Sequence, residues 1–407
     1  MQVKATERVI RYKEYDYAGI LASTGIYGIH KFPAMLHFKV VESLIDEFSS
    51  PEEIVYDPFC GSGVTLNVAI RKERNAIGTD INPLALLIAE VRSLTNINPE
   101  EYIKELLQNW EKLTPEIPKV KNLNYWFKDY VVEELGKIRS FLLKLPPSGE
   151  KKFLSVVFSQ TVRDVSLTRK GEFKRYRMKP SEIEKFSPNV LATFISLSQD
   201  YYKRLTSWPK PKGKLSLYLH DTRRPLPFNE KVDTVITSPP YGDSKTTVAY
   251  GEFSSFSLEW LQGIITLPPY NIDRKSLGGD KSKAPYEIPS FPSLEKTIED
   301  ISKRDRKRAE EVLSFYKDLF ICIRNITGKL SDRATVCFIV GNRRVKKCTI
   351  PMNEIVKEMF EYFGLNHYET RVRNILNKRM PLNNSPSNKK GDKDKTMKSE
   401  FIVIMKV

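Results

Sequence analysis

At 407 residues the chain holds one large domain with insertions, or two domains. An apolar fraction of 40%, with no run near the ~18 residues of a membrane span and no apolar signal stretch at the N-terminus, reads as a cytoplasmic globular protein. The net charge of +16 points to a polyanionic partner, nucleic acid first with a Lys-rich surface as the alternative, and four scattered cysteines exclude a zinc-ligand pattern and a disulfide framework.

In chain order, residues 33–48 (PAMLHFKVVESLIDEF) carry apolar groups at helical spacing behind a proline, which predicts a helix starting near Pro33. Residues 54–56 read as a short buried strand running into Asp57-Pro58-Phe59-Cys60-Gly61-Ser62-Gly63, and 64–72 as a helix. A second strand at 76–80 and an apolar helix from Ala85 complete a β-loop-α-β-α opening. That order predicts the α/β class, a Rossmann-like doubly wound sheet. An insertion over 96–212 intervenes, with helical patterns at 101–114 and 126–145 and a charge- and aromatic-rich stretch after Pro146-Pro147. The strands resume at 215–219, ending in His220-Asp221, and at 232–236, which leads into Thr237-Ser238-Pro239-Pro240-Tyr241. Residues 265–295, with paired prolines and Gly278-Gly279, read as loop. One long charged helix is expected over 295–328, a strand over 335–340, a helix over 352–363 and a last strand over 400–407. The polar, Lys-rich 383–398 reads as a mobile segment.

The glycine loop between strand and helix permits a tight turn and close backbone approach to a ligand at a helix N-terminus. It lacks the Gly-Lys-Ser/Thr of a triphosphate loop, which argues against ATP hydrolysis. Asp80 ends the second strand, where acidic residues hydrogen-bond ribose hydroxyls; capping the next helix is the other reading, and the two can coexist. Two prolines after 232–236 cannot serve a sheet, because proline donates no ladder hydrogen bond.

DPFCGSG, the acidic strand end at Asp80 and TSPPY, in this order, resemble the S-adenosylmethionine-dependent amino-methyltransferases of DNA, the cytosine-N4 and adenine-N6 methylases of restriction-modification systems. The resemblance covers 26–90, 215–262 and, less closely, 333–407. It implies S-adenosylmethionine as cofactor, held by Asp57, Pro58, Phe59, Gly61 and Gly63, by Asp80 and Ile81, and by Asp221 and Thr222 near the adenine. His30, Lys31, Phe32 and Pro33 match the motif that lines the methionine end. Ser238, Pro239, Pro240 and Tyr241 match the catalytic motif.

The chemistry of that turn agrees with the resemblance. An exocyclic amine on a base is a poor nucleophile, because its lone pair is delocalised into the ring. The Ser238 hydroxyl and the Pro239 carbonyl can accept from the amine, the two prolines hold the geometry rigid, and Tyr241 offers a ring for a flipped base. A plain turn gives no reason for the flanking Ser and Tyr. Ser at the first position resembles the cytosine-N4 group, whereas Asp is commoner in adenine-N6 enzymes. No Pro-Cys dipeptide is present to supply a nucleophile for C5 methylation, and Cys60 reads as a packing residue. The competing readings are an adenine-N6 enzyme, an RNA guanosine-N2 amino-methyltransferase, and an inactive nucleic-acid-binding subunit.

Target recognition is expected outside the sheet. Residues 168–180, TRKGEFKRYRMKP, set six basic residues against one acid with two aromatics interleaved, so Arg169, Lys170, Lys174, Arg175 and Arg177 are the DNA-binding candidates, a solvated loop being the alternative. The run 303–308, KRDRKR, reads as a solvated helix face. The expected organisation is a discontinuous catalytic domain, 1–95 and 213–407 with a further insertion at 265–310, and a mainly helical recognition domain at 96–212. The partners implied are double-stranded DNA and a cognate restriction endonuclease acting on the same site.

Overall fold

The structure, a computed structural model, describes residues 9–171, 174–241, 249–267, 270–279, 287–375 and 398–407, with the backbone of 383–384 and 394–395. β1 (Val9–Arg11) is followed by α1 (Phe38–Phe48), β2 (Ile54–Asp57), α2 (Val64–Arg71), β3 (Asn75–Asp80) and α3 (Pro83–Val91). The insertion contributes α4 (Pro99–Asn109), α5 (Leu123–Trp126), α6 (Asp129–Lys144), α7 (Gly149–Val165), α8 (Pro180–Lys185) and α9 (Val190–Thr206). The chain returns through β4 (Leu215–Leu219), β5 (Val232–Thr237), α10 (Tyr250–Trp260), the single turn α11 (Ile272–Lys275), α12 (Pro292–Ser302) and α13 (Arg306–Thr327). It ends in β6 (Leu330–Val340), the hairpin β7 (Arg343–Val345) and β8 (Cys348–Ile350), α14 (Met352–Tyr362), β9 (Asn366–Asn374), the two-residue strands β10 (Asn383–Asn384) and β11 (Asp394–Lys395), and β12 (Ser399–Lys406).

Eight strands form one sheet in the order β1-β9-β12-β6-β5-β2-β3-β4. Neighbours run parallel except around β12, which is antiparallel to both β6 and β9. Period-two alternation decides what each face buries. Cys337 and Ile339 of β6 and Ile402 and Ile404 of β12 join one core cluster, while Val336, Phe338, Val403 and Met405 join the other. Helices α1, α2, α3, α6, α7, α9 and α10 cover the first face and α12, α13 and α14 the second. This is the doubly wound α/β architecture with one strand reversed, and it places the C-terminal ends of β2, β3, β4 and β5 side by side.

The insertion packs into the first of these clusters. Phe153, Val156, Val157 and Phe158 of α7 share it with Leu84 and Ile88 of α3 and Phe253 and Phe256 of α10. Eleven of the seventeen residues of α7 are buried, the mark of a helix enclosed on all sides rather than one lying on a surface. Ser148 starts it by accepting from Lys151 N at 3.1 Å. The sequence showed this stretch only as charged and aromatic, because a helix buried all round has no polar stripe to reveal its period.

Three further elements depart from the sequence reading. α1 begins at Phe38, not near Pro33: Ala34 takes φ +53°, off the helical path, and His37 caps the helix by accepting from Lys39 N. The expected helix over 295–328 is two, because Asp305 accepts from Arg308 N at 3.1 Å and starts α13 afresh, so KRDRKR spans a break. β9 was not foreseen, since its buried positions hold charge: Arg371 donates to Glu369 at 2.6 Å and Arg373 to Glu400 at 2.7 Å. The segment 383–398 lies outside the described residues, apart from the backbone of β10 and β11 and residue Lys398.

Candidate active site

The strand ends enclose a cavity of about 960 Å³, open mouth included. Its wall begins with the glycine loop. Gly61 and Gly63 take φ +50° and +74°, and a Cβ on Gly63 would lie 2.4 Å from the Ala89 Cβ, so the loop needs glycine there for both conformation and closeness to α3. Asp80, at the end of β3, accepts from Gly61 N at 2.9 Å and Asn82 N at 2.8 Å, which ties the second strand to the loop. The helix cap itself falls to Asn82, whose side chain accepts from Leu84 N at 3.1 Å. Burial raises the Asp80 carboxyl to about 6 against those two backbone donors.

Asp57 is buried more deeply in role as well as in space. It accepts from Thr237 Oγ1 at 2.6 Å and Phe59 N at 3.1 Å, joining the ends of β2 and β5, and burial raises its carboxyl to about 7. Asp221 stands after β4. Burial works against its charge, but the Arg223 fork, at 2.9 and 2.8 Å, holds its carboxyl below the ordinary range. Thr222 donates to the Pro58 carbonyl at 2.8 Å, so the third strand end is fastened to the loop as well.

Ser238 and Pro240 line the same cavity as Asp57, Asp80 and Asp221. Pro239 is buried behind them, and the Tyr241 ring packs against the second core cluster with its hydroxyl 2.9 Å from Ser238 Oγ. The turn at 238–241 therefore opens onto the cavity that Asp57 and Asp80 also line.

Of the other expected cofactor residues, Phe32, Pro33, Pro58, Phe59, Gly61, Ile81 and Thr222 line the cavity. Gly63, His30 and Lys31 do not line it. His30 is fully buried with Nε2 2.8 Å from Ser159 Oγ, Lys31 N donates to Gln160 Oε1 at 2.9 Å, and both bonds dock this segment onto α7. Burial pushes the His30 imidazole well below its usual value, so it is neutral. The sequence reading missed Met35, Leu36, Ile272, Lys275 and Leu277, which also line the cavity. The last three come from a segment read as loop and carried no local signal. Tyr250, at the start of α10, is also in the wall.

The five basic residues of the 168–180 stretch divide. Arg169, Lys170 and Lys174 are exposed. Arg175 lies 4.5 Å over the Phe256 ring and Arg177 4.2 Å over the Tyr125 ring, so both are half-buried on aromatic faces. Two backbone bonds, Arg169 N to Tyr176 O at 2.8 Å and Met178 N to Leu167 O at 2.9 Å, fold the stretch into a hairpin at the end of α7.

The carboxylates of Asp57, buried, and Asp80, partly buried, line the cavity beside an apolar wall of Phe32, Phe59 and Tyr250. A family model described as DNA methylase matches residues 7–91. The type II methyltransferase M.MvaI of Kocuria varians is 34% identical over 409 residues, covering 93% of this chain and 90% of that protein. The type II methyltransferase M.MjaII of Methanocaldococcus jannaschii is 34% identical over 113 residues, 28% of this chain and 20% of that one. Among solved structures, the rRNA methyltransferase aviRa of Streptomyces viridochromogenes aligns over 96% of this chain and 94% of its own, at 11% identity and a TM-score of 0.34, too low to bear on function. The extent of the M.MvaI match decides the question, and the chain belongs to the restriction-modification DNA methyltransferases of the N4/N6 amino group, with S-adenosylmethionine as methyl donor.

Proposed function

We propose that the enzyme methylates the exocyclic N4 of a cytosine in duplex DNA, with the target base flipped out of the helix. The observation that carries this reading is Ser238, a neutral hydroxyl at the first position of the acceptor turn, opening onto the cofactor cavity. When bound, S-adenosylmethionine would supply an electrophilic methyl carbon, its sulfur keeping the electron pair of the broken bond while the methylated amine loses its extra proton to solvent. The chain supplies acceptors: Ser238 Oγ and the Pro239 carbonyl draw the amine hydrogens aside, which favours a pyramidal nitrogen with its lone pair free. Asp57 and Asp80 favour a cationic, hydroxyl-bearing ligand in the cavity.

Duplex DNA is then read by the insertion, with the exposed Arg169, Lys170 and Lys174 on phosphate. A cognate endonuclease acting on the same site completes this reading. Methylated DNA digested to nucleosides and analysed by mass spectrometry is expected to contain N4-methylcytosine. N6-methyladenine as the sole product would replace the cytosine assignment, and labelled RNA beside unlabelled DNA would overturn the substrate class.

A further inference from the structure

The Tyr241 hydroxyl lies 2.9 Å from Ser238 Oγ and 3.5 Å from Glu400 Oε1. Glu400 belongs to β12, and Arg373 of β9 donates to its other oxygen at 2.7 Å while also donating to the Tyr15 carbonyl at 3.0 Å. Arg343 of β7 donates to the Tyr241 carbonyl at 2.7 Å, which holds the backbone of the turn. Strands β7 and β12 thus pin the aromatic end of the acceptor turn.

The direction of these bonds follows from what each group can offer. A carboxylate only accepts. A neutral phenol beside it turns its proton toward the charge, and with Tyr241 and Ser238 only partly exposed that alignment persists at the long separation seen here. Burial keeps Tyr241 protonated, its phenol held well above the ordinary range. Either oxygen could donate across the 2.9 Å separation; with the phenol's one proton facing Glu400 the phenol oxygen accepts, which makes Ser238 the donor.

We infer that Glu400 and Tyr241 are positioning residues that fix the hydrogen-bond direction at Ser238, leaving its hydroxyl an acceptor only toward the target amine. The inference rests on the proposed role of that turn. A serine free to rotate would as readily donate its proton to the amine nitrogen and occupy the lone pair that must attack. An aspartate at this position would accept in any rotamer, so a serine enzyme has a need that an aspartate enzyme lacks.

The test compares wild type, Glu400→Gln, Tyr241→Phe and the double variant in labelled methyl transfer to duplex genomic DNA lacking the modification. The glutamine amide can donate to the phenol oxygen and reverse the chain, and the phenylalanine keeps the ring while removing the relay. Each single change is expected to lower kcat about 10- to 100-fold, the range for removing an oriented polar group at a reacting centre. The cofactor KM stays within about twofold, and the double variant falls no further than the worse single, because both break one chain. Wild-type kcat in Tyr241→Phe, which removes a single oxygen, or losses that multiply in the double variant, would overturn the direction. A wild-type product that is not an exocyclic methylamine overturns the role of the turn itself.

Discussion

Asp80 carries the sharpest consequence at the scale of single residues. It is partly buried, its carboxylate is held by two backbone donors, and desolvation raises it to about 6. As an acceptor for ligand hydroxyls it works when ionised, so cofactor affinity should be highest near pH 8 and weaken first as Asp57 is protonated at about 7 and further as pH falls through 6. Titration calorimetry from pH 8 to pH 5 tests this, and Asp80→Ala at pH 8 is expected to weaken binding about 10- to 100-fold, the worth of hydrogen bonds to a charged group. An affinity that does not change across this range would remove Asp80 from the groups that hold the ligand.

Asp57 answers a different question, that of stability. Its folded value, about 7, lies above the ordinary 3.8. The native state therefore binds more protons than the unfolded one between those values, and this group costs stability as pH rises through that window. Asp57→Asn keeps an oxygen for Thr237 and Phe59 N while removing the buried charge. At pH 8 its melting temperature should equal or exceed that of the wild type, while its affinity for the cationic cofactor falls. A markedly lower melting temperature would show that the charge is satisfied in the fold.

Elements show why the glycine loop reads so clearly in the sequence. Gly63 sits at φ +74° against Ala89 of α3, and both facts forbid a side chain. Gly63→Ala should cost about 2–3 kcal/mol, from a strained left-handed residue plus overpacking, in a denaturant titration. Stability within a few tenths of wild type would mean that α3 shifts freely, and then the cavity wall is not rigid. The hairpin at the end of α7 makes an element-scale prediction of another kind. Replacing Arg169, Lys170 and Lys174 together by Ala should weaken DNA binding and flatten its salt dependence by roughly 0.9 in log–log slope for each phosphate no longer neutralised. Equal salt slopes in wild type and variant would place the DNA elsewhere.

At the scale of the whole molecule, the insertion and the sheet share one hydrophobic cluster. α7 also fastens the segment before Phe32 through Ser159 and Gln160, so the wall of the cavity depends on residues more than a hundred positions away. Excising 96–212 should therefore leave a chain that neither melts cooperatively nor binds cofactor, rather than a smaller methyltransferase without specificity. Circular dichroism melting and calorimetry of the excised chain would check this. A cooperative melt with retained cofactor binding would establish the insertion as a separable domain.

The sequence by itself determined the parts whose chemistry is local. A strand that ends in Asp-Pro-Phe-Cys-Gly-Ser-Gly, a second that ends in Asp80 and a third that ends in Ser-Pro-Pro-Tyr each need their residue types within a few positions, because left-handed turns, strand-end acids and rigid acceptor turns are short-range devices. Tertiary structure alone decided what lies between and behind them. It buried α7 on every side, which erased the period that sequence reading relies on, and it hid β9 by pairing Arg371 and Arg373 with distant carboxylates. It turned His30 and Lys31 away from the cavity onto α7, and set Arg175 and Arg177 on aromatic rings. It also brought Glu400 from the last strand to Tyr241. Those outcomes depend on which surfaces meet when the layers close, and no local pattern encodes a partner 159 residues away.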